Sequence, residues 1–343
     1  MSHAFESLTP DLVLDALDQV GLRGDGRLTA LSSYENRVYQ AWLEDGGTVI
    51  AKFYRPGRWS DAQILEEHQF AAQLMDEEIP AVGPLCLNGQ TLHHFGGFAF
   101  SVSPRRGGRP PELDDDEVLE WIGRFLARIH SVGARGPFTQ RPALDVQSYA
   151  IEPMQWLLSH DMVPLDVQSA WERQVHIAIA HISRHPALAG QGSTGGIRLL
   201  RLHGDCHPGN ILWTPLDAAP AGGSAPGPHF VDLDDARMGP AVQDLWMLQS
   251  GDRAQRTRQL GALIDGYEQF REFNRDELAL IEPLRTLRLI HYSAWLARRW
   301  SDPAFPAAFP WFGSGNYWQQ QTDLLNQQIE LLQAPTDQPA WLS

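Results

Sequence analysis

Four side chains in this sequence have the types and the order that phosphoryl transfer requires. In His203-Gly-Asp-Cys-His-Pro-Gly-Asn210, Asp205 and Asn210 stand five residues apart. A carboxylate at the first position can accept the proton of an attacking hydroxyl. An amide oxygen at the second is a hard donor for magnesium on nucleotide phosphates. A further metal ligand should be an anionic hard oxygen, and Asp232 in Phe230-Val-Asp-Leu-Asp-Asp235 supplies one. The fourth residue is Lys52, the only lysine among 27 basic residues. A chain that uses arginine wherever a surface cation is wanted keeps a lysine where a compact ammonium is needed, as over the α/β-phosphates of ATP.

The same stretch admits a different chemistry. His203, Asp205, Cys206 and His207 crowd potential zinc ligands into five residues, as in a zinc hydrolase. That reading leaves Lys52, Asn210 and Asp232 without a task. A non-catalytic binding module is disfavoured because the base, metal and phosphate positions are all filled.

The elements that must position these groups follow from pattern. An amphipathic helix over 10–20 ends at Gly21. Strand-like runs at 37–43 and 48–54 flank Glu44-Asp-Gly-Gly47, a hairpin turn, so Lys52 lies inside a strand. An ammonium among Val49, Ile50, Ala51 and Phe53 needs a partner. The next helix, opened by Ser60 with Gln63 as a capping box, offers Glu66 and Glu67. Further strands are expected at 81–85 and 98–102, followed by a Pro/Gly/Arg stretch at 104–111. Beyond it the apolar period is helical: a helix capped by Asp114 and running to Gly133, then others over 168–184 and 283–300. The exception is a hairpin whose apolar runs at 211–213 and 229–233 flank a Pro/Gly/Ala-rich tip, 215–228. The expected class is α+β and bilobed: a small β-rich N-terminal lobe (1–103), a linker (104–112) and a larger, mostly helical C-terminal lobe (113–343).

Composition narrows the function. The chain has 343 residues, 43% hydrophobic and 10% aromatic, the profile of a globular protein. A formal charge of -15 opposes nucleic acid and anionic lipid as partners. Two cysteines give no disulfide framework, no apolar run approaches the ~20 residues of a membrane span, and the first residues lack a signal pattern. A cytoplasmic monomer is expected.

The Asp205–Asn210 spacing resembles the catalytic loop of protein kinases, H-R-D-x-x-x-x-N. The phrase from His203 to Leu212 is similar to that of the aminoglycoside phosphotransferase and choline kinase superfamily. Ser32 to Tyr39, Lys52-Phe-Tyr-Arg-Pro56, Leu65 to Phe70, Phe230 to Arg237, Asp302 to Pro306 and Phe309 to Phe312 resemble, more narrowly, a bacterial family of stress-response kinases. The likeness covers nearly the whole chain. It implies a protein-kinase-like fold and an ATP- and Mg2+-dependent kinase acting on Ser/Thr of a protein, with a small-molecule hydroxyl kinase as the alternative. By residue, it implies Asp205 as catalytic base and Asn210 and Asp232 as magnesium ligands. Lys52 becomes the phosphate-binding lysine, Ser33 a position in the nucleotide loop, and Glu67, by helix register, the lysine's partner. Asp244 matches a buried aspartate that holds the catalytic loop through its amides, and Asp234 is a candidate to assist the metals.

Departures matter. The loop Leu31 to Arg37 has no glycine, so Ser32, Ser33 and Asn36 are expected to add side-chain donors to phosphate. Asp232 is followed by Leu-Asp and no A-P-E segment appears, so a phosphorylation-switched activation loop is not expected. His207 stands where protein kinases usually keep a lysine. An aromatic set, Trp295, Trp300, Trp311, Tyr317 and Trp318, could hold a cationic acceptor or fill a core.

Overall fold

In a computed structural model of the chain, residues 4–192, 196–215 and 226–333 are described. They form two compact units. The first comprises the residues up to Pro111 together with those from Pro208 to Asp235; the second comprises Glu112–His207 and the residues from Ala236 onward. The β-rich first unit and the mostly helical second unit match the α+β class expected from the sequence.

The first unit begins with α1 (Pro10–Gln19), capped by the Thr9 hydroxyl accepting from the Leu12 N–H. An antiparallel sheet follows, built from β1 (Gly24–Leu31), β2 (Arg37–Leu43), β3 (Thr48–Phe53), β4 (His93–Phe95) and β5 (Phe98–Pro104), ordered β1-β2-β3-β5-β4. The β2–β3 turn closes where expected. Gly46 takes a φ of 87°, which favours glycine, and the Asp45 carboxylate accepts from the Gly47 N–H. Strand alternation then sorts the side chains of β3. Val49, Ala51 and Phe53 enter a core with Val13, Ala16 and Leu17 of α1 and Phe98, Phe100 and Val102 of β5. Lys52 is left on the other face. Helix α2 (Asp61–Asp76) carries the Ser60/Gln63 capping box anticipated from the sequence.

Residues 81–85 do not form the strand expected. Ala81 forms a lone parallel bridge to Phe230, the Leu85 N–H donates to the Val102 carbonyl of β5 without building a ladder, and Pro84 between them has no N–H to contribute. That bridge has a larger consequence. The Val82 N–H donates to the Phe230 carbonyl, and Arg109 and Trp213 exchange backbone hydrogen bonds. These pairings join β7 (Ile211–Thr214) and β8 (Gly227–Phe230) to the first unit, whereas the sequence reading had placed 113–343 in one body. Of the tip expected over 215–228, residues 216–225 lie outside the described residues. Gly227 and Pro228 belong to β8, paired with Thr214 and Trp213.

The second unit is organised by α3 (Asp116–Gly133) and α7 (Arg253–Tyr267). Asp115, one residue later than expected, caps α3. The helices cross at glycines on both sides: a Cβ on Gly123 would collide with the Leu263 carbonyl oxygen, and one on Gly266 with that of Glu120. At the end of α3, Gly133 lies against the backbone of Arg201 in β6 (Leu200–Leu202), which pairs with β9 (Arg237–Gly239) and leads into the His203 motif. The remaining helices are α4 (Glu152–Ser159), α5 (Leu165–Ile182), α6 (Val242–Trp246), α8 (Ile281–Arg298), α9 (Ala304–Ala308) and α10 (Gly315–Gln333). Helices α5 and α8 start two or three residues before the expected 168 and 283. No helix among the described residues is long and apolar enough to cross a membrane.

Candidate active site

The boundary between the units falls inside the motif, between His207 and Pro208. On the second unit's side, the loop after β6 is held from below by Asp244 of α6. Its two carboxylate oxygens accept the N–H groups of His203 and Gly204, each at 2.9 Å. Asp244 is fully buried. Burial alone would raise its pKa, but the His130 hydrogen bond at 3.1 Å, the charges of His130 and His203 and the Gly204 N–H bring it below the ordinary carboxylate value. Tyr267 bonds the other ring nitrogen of His130, and the Gln243 amide donates to the Gly204 carbonyl. Gly204, at φ 86°, makes the turn that presents Asp205.

Asp205 is 22% exposed at its side chain. One oxygen accepts from Arg288 Nη1 of α8 at 2.7 Å, and the other lies 3.5 Å from His207 Nε2. Cys206 is fully buried, and burial pushes its thiol well above the usual range. A protonated, enclosed thiol is a poor zinc ligand, and no group of three or more His, Cys, Asp or Glu among the described residues could hold a metal ion. The zinc-hydrolase alternative therefore lacks a ligand set.

On the first unit's side, Asn210 and Asp232 flank the open end of the β7–β8 hairpin. Ile211 pairs with Phe230, and the Val231 N–H donates to the Asn210 carbonyl at 3.0 Å. Asp232 sits in the left-handed region, φ 59°, a conformation costing a non-glycine residue ~1–2 kcal/mol. An amide oxygen and a carboxylate brought to one end of a hairpin are the hard donors magnesium takes, so the residues fit the ion.

Lys52 meets this segment across 180 residues of sequence. Its ammonium lies 2.8 Å from Asp232 Oδ1 and 3.2 Å from Asp234 Oδ1 and is 16% exposed. Burial alone would lower its pKa, but Asp232, Asp234 and Glu67 together hold it well above the usual lysine value. Of the two candidate glutamates, Glu67 is the buried one and Glu66 is half-buried, while the direct ion pairs of Lys52 go to the aspartates. Tyr54, two residues along the same strand face, places its ring centroid 5.1 Å from the ammonium. Its hydroxyl bonds His68 and Ser101.

Sequence reading missed Arg58. Its guanidinium donates to Asp234 at 2.6 Å and Asp235 at 2.8 Å and lies 3.3 Å from Glu35 of the β1–β2 loop, tying that loop to the segment 232–235. Arg55 shapes the same loop by donating to the carbonyls of Glu35 and Tyr34. Asn36 is buried, and its side-chain oxygen accepts the Arg55 N–H at 3.1 Å, fixing the amide within the loop. Ser33 lies half-buried in the loop and Ser32 is exposed. Arg58 and Arg288 carry no local signal. They are two arginines among 26, and their partners lie 176 and 83 residues away.

The aromatic set serves mainly as packing. Trp318 and Tyr317 are buried, Trp300 packs on Phe312, and Trp295 carries the chain's own Arg299 at 5.3 Å from its ring centroid.

The chain is similar to a known family and to several known proteins. Residues 27–281 match the model of a family described as the phosphotransferase enzyme family. Stress response kinase A of Escherichia coli strain K12 is 46% identical over 97% of this chain and 96% of its own. The serine/threonine protein kinase RdoA of Salmonella typhimurium strain LT2 is 44% identical over the same shares. Among solved structures, an amicoumacin kinase in complex with AMP-PNP, Ca2+ and Ami aligns at TM-score 0.68 over 92% of both chains with 18% identity. A microcompartment-associated aminopropanol kinase aligns at 0.65 over 92% of this chain and 94% of that one, with 15% identity. At such identities the structures share a fold.

Proposed function

The chain belongs to the phosphotransferase enzyme family and is an ATP-dependent kinase, and from that premise we propose that it transfers the γ-phosphoryl group of ATP to serine or threonine hydroxyls of a protein, in a stress response, with magnesium as the metal. The observation that carries the site assignment is the ion pair of the sole lysine with Asp232, at the hairpin end that also holds Asn210. Two hard oxygens and an ammonium gathered there are the groups a nucleotide's phosphates and their metal would use.

In this reading Asn210 and Asp232 hold magnesium, which when bound neutralises charge on the phosphates. Lys52 exchanges its carboxylate partners for phosphate oxygens, and Glu67 keeps that region negative enough to retain the ammonium. Ser33 lies in the loop that meets the nucleotide. Asp205 accepts the proton of the acceptor hydroxyl as the oxygen attacks phosphorus, and Asp244 keeps the base in place through the amides of His203 and Gly204. The protein acceptor is supported by the name of the Salmonella typhimurium relative, a serine/threonine protein kinase at 44% identity.

Asp205→Asn tests the assignment. It preserves shape and removes the proton acceptor, so phosphoryl transfer should fall ~10²–10⁴-fold while Mg-ATP affinity stays within about threefold of wild type. Transfer within twofold of wild type would remove Asp205 from the chemistry.

A further inference from the structure

The group beside the catalytic carboxylate is a cation. Arg288 Nη1 lies 2.7 Å from Asp205 Oδ1, and the Arg288 side chain is 39% exposed, so whatever brings a hydroxyl to Asp205 also meets a guanidinium. Helix α8, which carries Arg288, also carries Arg285, Arg298 and His291 against a single acidic residue, Glu282, paired with Arg285 at 2.7 Å. This is in a protein whose acidic residues outnumber its basic ones 42 to 27. His207, 3.5 Å from the other oxygen of Asp205, adds a further basic group. Trp295, one of the aromatic faces considered for a cationic acceptor, already carries Arg299.

We infer that Arg288 is an acceptor-specificity residue, selecting Ser/Thr segments that carry a carboxylate next to the phosphorylated hydroxyl and rejecting cationic acceptors. The inference rests on the protein-kinase reading above and deepens it. An ammonium neighbouring the reacting hydroxyl would approach Arg288 at like charge, which disfavours such an acceptor. A peptide carboxylate does the opposite. The arginine fork binds carboxylates in a fixed plane, so an acidic side chain competes with Asp205 for the guanidinium and leaves Asp205 an oxygen with which to take the hydroxyl proton. The balance is that of any kinase: the acceptor O–H bond breaks and its proton passes to Asp205. The oxygen bonds to the γ-phosphorus, and the bond to the β-bridging oxygen breaks to release ADP.

The test is a set of degenerate serine/threonine peptide pools with Asp/Glu or Lys/Arg fixed at each position flanking the acceptor, phosphorylated with Mg-ATP by wild type, Arg288→Gln and Arg288→Glu. Wild type should favour acidic over basic pools by at least tenfold at one or more flanking positions. Arg288→Gln should bring the ratio to within about twofold of unity. Arg288→Glu should turn the preference toward basic pools, a gain that neither misfolding nor a loosened Asp205 would produce. Labelling of peptides without an acidic preference, or an acidic preference unchanged in both variants, overturns the role of Arg288 and leaves the protein-kinase reading standing. If wild type binds Mg-ATP but labels no pool, while transferring phosphate to choline or an aminoglycoside, the protein-kinase reading itself falls, and this inference with it.

Discussion

Lys52, in β3, and Arg58, between β3 and α2, converge on one buried carboxylate. Asp234 is 3% exposed, with Lys52 at 3.2 Å and Arg58 at 2.6 Å. Two cations there let three acidic side chains, Asp232, Asp234 and Asp235, crowd into four residues without mutual repulsion dominating. Removing one cation should therefore be costly. Arg58→Met leaves Asp234 and Asp235 short of charge and should lower stability by up to ~3–5 kcal/mol, the cost of breaking a buried pair from one side. It should also weaken Mg-ATP binding, because the segment carrying Asp232 loses its tie to the β1–β2 loop. Arg58→Lys keeps charge but not the fork that spans both aspartates and should fall between. Urea denaturation and nucleotide titration read both quantities; a methionine variant within 1 kcal/mol of wild type would show the fork to be incidental. At this scale sequence was informative where a residue type was rare. One lysine, and an Asp and Asn at kinase-loop spacing, were legible, whereas Arg58 and Arg288 acquire meaning only from partners distant in sequence.

Elements were legible where their signals are local. The Ser60/Gln63 box and the turn at Glu44–Gly47 depend on neighbours within a few residues, and both stand where the sequence put them. The strand expected at 81–85 failed because apolar residues alone do not supply a pairing partner along their whole length, and Pro84 interrupts the donors. Element joints also carry chemistry that no pattern reveals. Glu277, in a short helical turn before α8, accepts the Val242 N–H at 2.9 Å at the start of α6, the helix that carries Asp244. Burial pushes its carboxyl up to about 7 from an ordinary 4.5, against the pull of the Val242 N–H and Arg271. A raised carboxyl pKa means the folded state keeps a proton that the unfolded chain releases between roughly pH 4.5 and 7. The contribution to stability is therefore fully present below the lower value and is lost as pH rises through the upper one, to a limit of ~3 kcal/mol. Glu277→Gln, which retains an acceptor for Val242 but cannot titrate, should lose less stability than wild type between pH 5 and pH 8. Identical pH dependence in the two proteins would place the ionisation of Glu277 outside that range.

For the whole molecule, the α+β class was readable because strand and helix periods separate along the sequence. The grouping of 208–235 with the first unit was not. It depends on Ala81 meeting Phe230 and Arg109 meeting Trp213, contacts more than 100 residues apart that composition cannot encode. That grouping brings Asn210 and Asp232 into the same compact unit as Lys52. In the proposed mechanism this lysine contacts nucleotide phosphate, and its uniqueness makes that contact directly measurable. An ATP analogue bearing an acyl group on its terminal phosphate transfers that group to an amine held against the phosphates. Lys52 is the only side-chain amine available. With magnesium present, intact mass should show one acyl group per chain, peptide mapping should place it on Lys52, and excess ATP should abolish it. Acylation confined to the N-terminal amine, or Lys52 acylation indifferent to ATP, would contradict the account.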